Sequence, residues 1–320
     1  MPHPRAEHHA DANCDESIRL LARMSKRARQ ERRGAAAAKR MIREVWGDSL
    51  DLLAGLLSES RTLGERFSEL EWGRARKSND PVFYVLMHLH ANACLVASEV
   101  LALLDSGHAG GAIARWRSLH EVGTYAAFIL KHGAKTAERY VRHSHIKDAE
   151  DLPSVDDALE AAGDEGFSPE EREMLAELKG RLLKQYGEGF QGGFGWAKEA
   201  CAGKGKLSFD SIASDLDPSV PKMFYRIASH LVHPTWKGII DNPGAPPDSS
   251  GEPLLAGSSE YGLWLPAMLT ARSIYGTTVS FLSCGSTDTW RTELYHLSSC
   301  VELVCDQLRE ARDEQAAPAS

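Results

Sequence analysis

Apolar residues recur at intervals of three and four along most of this chain, and this spacing constrains the fold more than any other feature. Ile42, Trp46 and Leu50 show the pattern near the N-terminus. Asp80 and Pro81 have the residue types of a helix N-cap and first helical position. No segment shows the convincing apolar and polar alternation of a half-buried strand. The sequence therefore predicts an all-α fold, a multi-helix bundle.

The composition indicates one folded domain of ordinary character. The chain has 320 residues, of which 42% are hydrophobic and 26% charged, and these values are typical of globular proteins. We expect a single helical domain over residues 39–313. The N-terminus lacks the apolar stretch of a signal peptide, so we expect the cytoplasm. The most apolar stretch, residues 262–284, contains Arg272, which favours a buried bundle helix over a membrane span.

The charge is unevenly distributed around a formal net charge of -8. Residues 19–43 hold ten lysines and arginines, with Glu31 as the only acidic residue. Residues 148–177 hold twelve aspartates and glutamates, with Arg172 as the only basic residue. We predict a partly disordered, basic N-terminal arm over residues 1–38. We also predict an acidic insert of two short, solvated helices over residues 148–177, which start at the capping boxes of Ser154 with Asp157 and Ser168 with Glu171.

Three further segments are predicted to lack long helices. Residues 186–206 are glycine-rich and are interpreted as a flexible loop, because their G-x-G-x-x-G spacing follows a helix and not a strand. Residues 242–259 are rich in proline, glycine and serine, which is typical of a surface loop. Residues 314–320 are predicted to form a disordered tail.

One candidate site lies on the helix predicted around residues 221–233. At 100° per residue, its polar side chains fall on one face and its apolar side chains on the opposite face. The polar face carries Arg226, Ser229, His230 and His233. An ordinary exposed helix face is the alternative interpretation.

A second polar face lies on the helix predicted over residues 112–131. Arg117, His120 and Glu121 share this face, and the alternative is a simple surface ion pair between Arg117 and Glu121. If the two helices are neighbours, their polar faces close on one cavity. Arginine and histidine favour an anionic ligand there, because a guanidinium suits phosphate and an imidazole moves protons near neutral pH.

The region from Val82 to Trp236 resembles the domain of unknown function 5677 family of bacterial proteins. The motifs that carry the resemblance are Arg117-Ser118-Leu119-His120-Glu121, Trp196 with Ala200, and Tyr225 through Ser229 to His233-Pro234. The family name implies no activity.

The chain is also similar to the HEPN superfamily of helical ribonucleases and RNA-binding proteins. The similarity rests on Arg226 and His233, an arginine and a histidine separated by six residues. It implies a HEPN-like helical core and a homodimer with the site between its subunits. It also implies a metal-independent ribonuclease of a bacterial defence or toxin system, which needs no cofactor. Arg226 and His233 would be catalytic in such a protein, and the remaining candidate binding residues are Arg117, His120, Glu121, Tyr225, Ser229 and His230.

Two other functions remain open from the sequence. A non-catalytic helical module could bind a partner protein or a small anionic ligand. A metal enzyme could use His120, Glu121, His230 and His233, although the positive charges of Arg117 and Arg226 would repel a cation.

Overall fold

The computed structural model describes residues 4–201, 207–216, 222–233, 235–246, 255–285 and 287–316. Within these ranges the chain forms α-helices and two short 3₁₀ helices and no strand, which confirms the all-α prediction. The α-helices are α1 (Pro4–Ser78), α2 (Pro81–Asp105), α3 (Ala109–His132), α4 (Ala134–Ala162), α5 (Pro169–Tyr186), α6 (Phe209–Leu216), α7 (Met223–Val232), α8 (Trp236–Ile240), α9 (Trp264–Leu282) and α10 (Thr287–Ala316). The 3₁₀ helices are Glu188–Gln191 and Gly195–Ala197.

The core lies where α1, α2, α3, α9 and α10 pack together. Helix α9 is buried along most of its length, as expected for residues 262–284. Its buried threonines are satisfied within the helix: Thr270 and Thr278 each donate a hydrogen bond to the carbonyl four residues earlier. Among the described helices, α2 has the length and apolarity to cross a membrane, and half of its most apolar window is buried in the bundle.

Helix α1 is 75 residues long and contains the predicted N-terminal arm. Among the side chains of α1 whose burial the structure describes, Ile42 is the first that is buried, close to the boundary expected at residue 38. The helix runs through that boundary, so residues 4–38 form a helical arm continuous with the domain. Alanine, arginine and lysine, all strong helix formers, dominate the arm, which explains its helical structure despite Gly34.

The acidic insert differs from its prediction in one respect. Helix α4 does not end before the insert but continues through Pro153 to Ala162. A proline removes one backbone hydrogen bond, and the helix around Pro153 is exposed on one side, where it can bend. The helix start predicted at Ser154 is therefore wrong.

The second helix of the insert, α5, is as predicted. Ser168 and Glu171 form a reciprocal capping box at its start. Asp156 of α4 accepts a hydrogen bond from the Phe167 amide at 2.8 Å and pairs with Arg172 at 2.7 Å. One carboxylate of the acidic run thus holds the turn between α4 and α5.

The glycine-rich segment is folded against α4 over its described residues. Arg139 is buried and donates to the carbonyl oxygens of Gly195 and Trp196, each at 3.0 Å. His143 Nε2 lies 2.9 Å from the carbonyl oxygen of Gly192. Residues 187–201 are therefore fixed by cationic and imidazole side chains of α4, whereas the remainder of the predicted loop, 202–206, lies outside the described residues.

The other two predicted irregular segments are described in part. Residues 242–246 and 255–259 form no helix or strand, and residues 247–254 lie outside the description. Helix α10 extends to Ala316, into the predicted tail, and residues 317–320 lie outside the description.

Candidate functional site

Helices α3 and α7 are neighbours, so the two polar faces identified in the sequence belong to one region. A close approach to α9 fixes the rotation of α3, because a Cβ atom at Gly123 would lie 2.8 Å from Thr277 Oγ1. Trp116 Nε1 also donates to Ser273 Oγ at 2.9 Å. Trp116 and Gly123 therefore face α9, and Arg117 and Glu121 lie on the side of α3 that contacts α7.

Helix α7 docks by the apolar face that the sequence predicted. Ala228 is fully buried, and Phe224, Ile227 and Leu231 pack against the core. The helix ends at Val232, and the next residue, His233, has an extended backbone. A residue that precedes a proline disfavours the helical conformation, so Pro234 in the sequence explains this end.

Arg117, Glu121 and Tyr225 form a polar cluster between α3 and α7. Arg117 Nη2 donates to the Tyr225 hydroxyl at 2.6 Å, and this hydroxyl donates to Glu121 Oε1 at 2.7 Å. Arg117 Nη2 also lies 2.9 Å from Glu121 Oε1. Each member thus contacts the other two, and we call this the α3–α7 cluster.

Aromatic rings pack against the α3–α7 cluster. The Tyr225 ring stacks on Phe209 of α6 at 4.4 Å, and the Arg117 guanidinium lies 4.8 Å from the Tyr225 ring centre. His120 stacks on Trp116 at 5.1 Å and meets the edge of Phe209. The stacking on Phe209 and the contact with Arg117 restrict the orientation of the Tyr225 ring.

The surroundings of the α3–α7 cluster lower the pKa of His120 and raise the pKa of Tyr225. Burial lowers the pKa of His120 to about 4, so this imidazole is neutral near pH 7 and is not a cationic ligand-binding group. Burial, followed by the hydrogen bond to Glu121, raises the pKa of the Tyr225 hydroxyl to about 12. Tyr225 is therefore a protonated hydrogen-bond donor at neutral pH.

Arg226 and His233 lie outside the α3–α7 cluster. Both side chains are exposed, and neither forms an ion pair with any residue that the structure describes. Arg226 lies on α7, and His233 directly follows the last residue of this helix. The sequence predicted one shared cavity for both faces, but the structure separates a packed cluster from an exposed arginine and histidine.

Ser229 and His230 lie between Arg226 and His233 in the sequence, and both are half-buried. The Ser229 carbonyl accepts from the His233 amide at 3.0 Å. His230 Nδ1 lies 3.2 Å from Thr235 Oγ1, at the turn that leads into α8. Both residues therefore help to end α7, and their role in binding stays a prediction.

Sequence reasoning missed Phe209, which the structure places under Tyr225. Helix α6 is amphipathic, but nothing in its eight residues identifies α7 as its neighbour. For the metal alternative, the structure brings no group of three or more histidine, cysteine, aspartate or glutamate side chains together among the residues it describes.

Comparison with known proteins gives one match. The model of a family described as "Family of unknown function (DUF5677)" matches residues 83–248, just over half of the chain. This range contains α3, α7 and every candidate site residue. No curated protein and no solved structure shows significant similarity to the chain.

Proposed function

Because the chain belongs to the family of unknown function DUF5677, whose description assigns no activity, we propose its function from the geometry around α7. We propose an RNA-directed protein that cleaves RNA without a metal, with Arg226 and His233 as catalytic residues. The observation that carries the proposal is that Arg226 on α7 and His233 at the C-terminal end of α7 are both exposed, on a helix that the α3–α7 cluster holds in place. A phosphodiester can reach both side chains from solvent.

The two side chains suit transfer of a phosphoryl group within RNA. His233 would take the proton of a ribose 2′-hydroxyl, whose oxygen attacks the adjacent phosphorus atom as the bond to the 5′-oxygen breaks. Arg226 would stabilise the negative charge that develops on the phosphate oxygens. The departing 5′-oxygen takes a proton from water or from a second acid, and a 2′,3′-cyclic phosphate remains.

A homodimer would complete this arrangement. A single chain offers one such pair, Arg226 on α7 and His233 at its C-terminal end, whereas two copies joined near α7 would offer an acid as well as a base. The likeness of Arg226 and His233 to the HEPN motif supports a shared site of this kind. Arg117, Glu121 and Tyr225 would then position α7, and would not contact the reacting phosphate.

A second candidate is a non-catalytic module that binds RNA or a small anion by the same face. The exposure of both side chains favours this candidate, because general bases usually lie in clefts that exclude water. Ile227, directly after Arg226, packs against the core and supplies no polar group to the site.

Cleavage of labelled single-stranded RNA and transfer RNA distinguishes the two candidates. We expect His233→Ala and Arg226→Ala each to lower the cleavage rate by about 100-fold or more. EDTA should leave the rate unchanged. His296→Ala and Arg181→Ala serve as matched controls, since both residues are exposed and lie outside the candidate site.

The outcomes separate clearly. Cleavage that survives both α7 substitutions, or that EDTA abolishes, contradicts the catalytic assignment. RNA binding that weakens in the α7 variants without any cleavage by the unaltered protein supports the non-catalytic module.

A further inference from the structure

A two-lobed groove lies between α2 and α4, away from the α3–α7 cluster. Its first lobe has a volume of about 510 Å³ and is bounded by the end of α1, the start of α2 and α4. Its second lobe, of about 430 Å³, continues along α2 and α4 to Trp196. Tyr84 and Val141 line both lobes and form the waist between them. We call this feature the α2–α4 groove.

Large apolar side chains of the groove remain exposed. The exposed fractions are 46% for Trp72, 50% for Tyr84 and 40% for Val141. Buried residues, including Phe83 and Leu89, form the floor. Apolar lining and volumes of a few hundred Å³ are typical of sites for small organic molecules.

Two arginines that line the first lobe form no ion pair with any described residue. Arg76 at the end of α1 and Arg142 on α4 both line it, both are exposed, and neither forms an ion pair among the described residues. Asp80, which lines the same lobe, is already engaged by the amides of Val82 and Phe83 at the start of α2 and by Arg74 at 3.1 Å.

Glu138 is the remaining acidic residue of this lobe. It is exposed and lies one turn before Arg142 on α4. Its carboxylate opposes an anion, but the two free guanidinium groups outnumber it. Since Asp80 is engaged, the charged groups of the first lobe that remain open to a ligand are two guanidiniums and one carboxylate, and no acidic residue lines the second lobe.

We propose that the α2–α4 groove binds an elongated organic anion that has two flat apolar rings and one anionic headgroup. Arg76 and Arg142 hold the headgroup, since guanidinium groups form strong charge-assisted hydrogen bonds with carboxylate, sulfonate and phosphate oxygens. One ring lies beside Trp72 in the first lobe. The other ring lies beyond Tyr84 and Val141, in the second lobe, where it contacts Leu89 and Trp196.

Single-stranded RNA is a less suitable occupant. RNA carries a phosphate at every nucleotide, whereas the free arginines lie only at the first lobe and the second lobe is mainly apolar. Binding in the α2–α4 groove does not depend on RNA cleavage at α7, so either proposal can fail without the other.

The experiment uses two fluorescent probes that differ by one charge. 8-Anilinonaphthalene-1-sulfonate has two aromatic groups and a sulfonate, and N-phenyl-1-naphthylamine has the same rings without the sulfonate. We expect Arg76→Gln and Arg142→Gln each to weaken binding of the sulfonate by about three- to tenfold and to leave the neutral probe unaffected. Glu138→Gln should tighten binding of the sulfonate, and Tyr84→Ala should weaken binding of both probes.

Lys77→Gln is the matched control, because Lys77 is exposed next to Arg76 but does not line the groove. An equal loss in Lys77→Gln, an equal response of both probes to the arginine substitutions, or weaker sulfonate binding by Glu138→Gln overturns the proposal. Displacement of the sulfonate by an eight-nucleotide oligouridine also overturns it, in favour of a nucleic-acid site. Circular dichroism melting of each variant verifies that the fold is retained.

Discussion

His90 of α2 is a titratable residue enclosed by the core. Its Nε2 lies 3.1 Å from Thr278 Oγ1, and that hydroxyl donates its own proton to the Ile274 carbonyl. The hydroxyl must therefore accept from His90, which assigns the proton of the neutral imidazole to Nε2. Burial lowers the pKa of His90 to about 4, because no carboxylate compensates for the lost hydration of the imidazolium.

The buried imidazole makes stability depend on pH. In the unfolded chain a histidine titrates near pH 6.5, so between that pH and about 4 the unfolded state binds a proton that folded His90 does not. The free energy of unfolding should therefore fall as the pH decreases through this window. His90→Gln should reduce this fall by up to about 3 kcal/mol.

Urea denaturation at pH 7 and pH 4 measures the effect. His88→Gln is the control, since His88 lies on the same helix but is exposed. The assignment is wrong if both variants retain the full pH dependence of the unaltered protein.

The candidate site shows what spacing alone can predict at the level of residues. Arg117 and Glu121 lie four residues apart on one helix, so their pairing is a local consequence of the sequence. The bridge through Tyr225 depends on how α3 and α7 cross, and Phe209 enters from a third helix. The two hydrogen bonds of Tyr225 join residues 108 and 104 positions apart, and helical periodicity contains no information about such contacts between helices.

At the scale of elements, cap signals predicted two helix starts correctly and one wrongly. The starts at Pro81 and Pro169 follow N-caps that bind backbone amides as the sequence indicates. The helix start predicted at Ser154 is wrong because a proline removes one backbone hydrogen bond but need not end an exposed helix. The packing of a helix against its neighbours decides between these outcomes.

The two prolines of α4 and α5 should respond oppositely to replacement by alanine. Pro153 lies inside α4, where alanine restores an amide that can donate to the carbonyl of Ala149, so we expect Pro153→Ala to stabilise the protein by about 1–3 kcal/mol. Pro169 occupies the first position of α5, where no amide is needed, so Pro169→Ala should change stability by less than about 0.5 kcal/mol.

Thermal denaturation of both variants tests this contrast. A loss of stability in Pro153→Ala would contradict this expectation and show that the fold requires proline at this position of α4.

Across the whole molecule, the buried periodic residues of α2, α3 and α9 lie in one hydrophobic core. The helical periodicity of the sequence does not predict where the basic and acidic segments lie in the fold. Helix α1 packs against α2, α9 and α10, whereas the acidic residues lie on α4 and α5, which pack against each other. The described side chains of the N-terminal arm before Ile42 are nearly all exposed, so its basic charge is open to solvent.

An exposed basic helix of this kind should contribute to RNA affinity if the proposed function is correct. Each lysine or arginine that neutralises a phosphate releases counterions and steepens the dependence of affinity on salt, by about 0.7 logarithmic units per contact for a single strand. We expect deletion of residues 1–38 to weaken RNA binding and to make this dependence shallower. A full-length variant with the basic residues of the arm replaced by glutamine should behave alike, because it keeps the helix and removes the charge.

Fluorescence anisotropy with labelled RNA at low and moderate salt measures both quantities. Tighter binding after deletion would mean that the arm covers an RNA-binding surface in solution. Unchanged affinity and slope would show that the arm does not contact RNA. A loss in the deletion variant but not in the glutamine variant would assign the contribution to the apolar side chains of the arm, since only the deletion removes Leu20, Leu21 and Met24, which are exposed on α1.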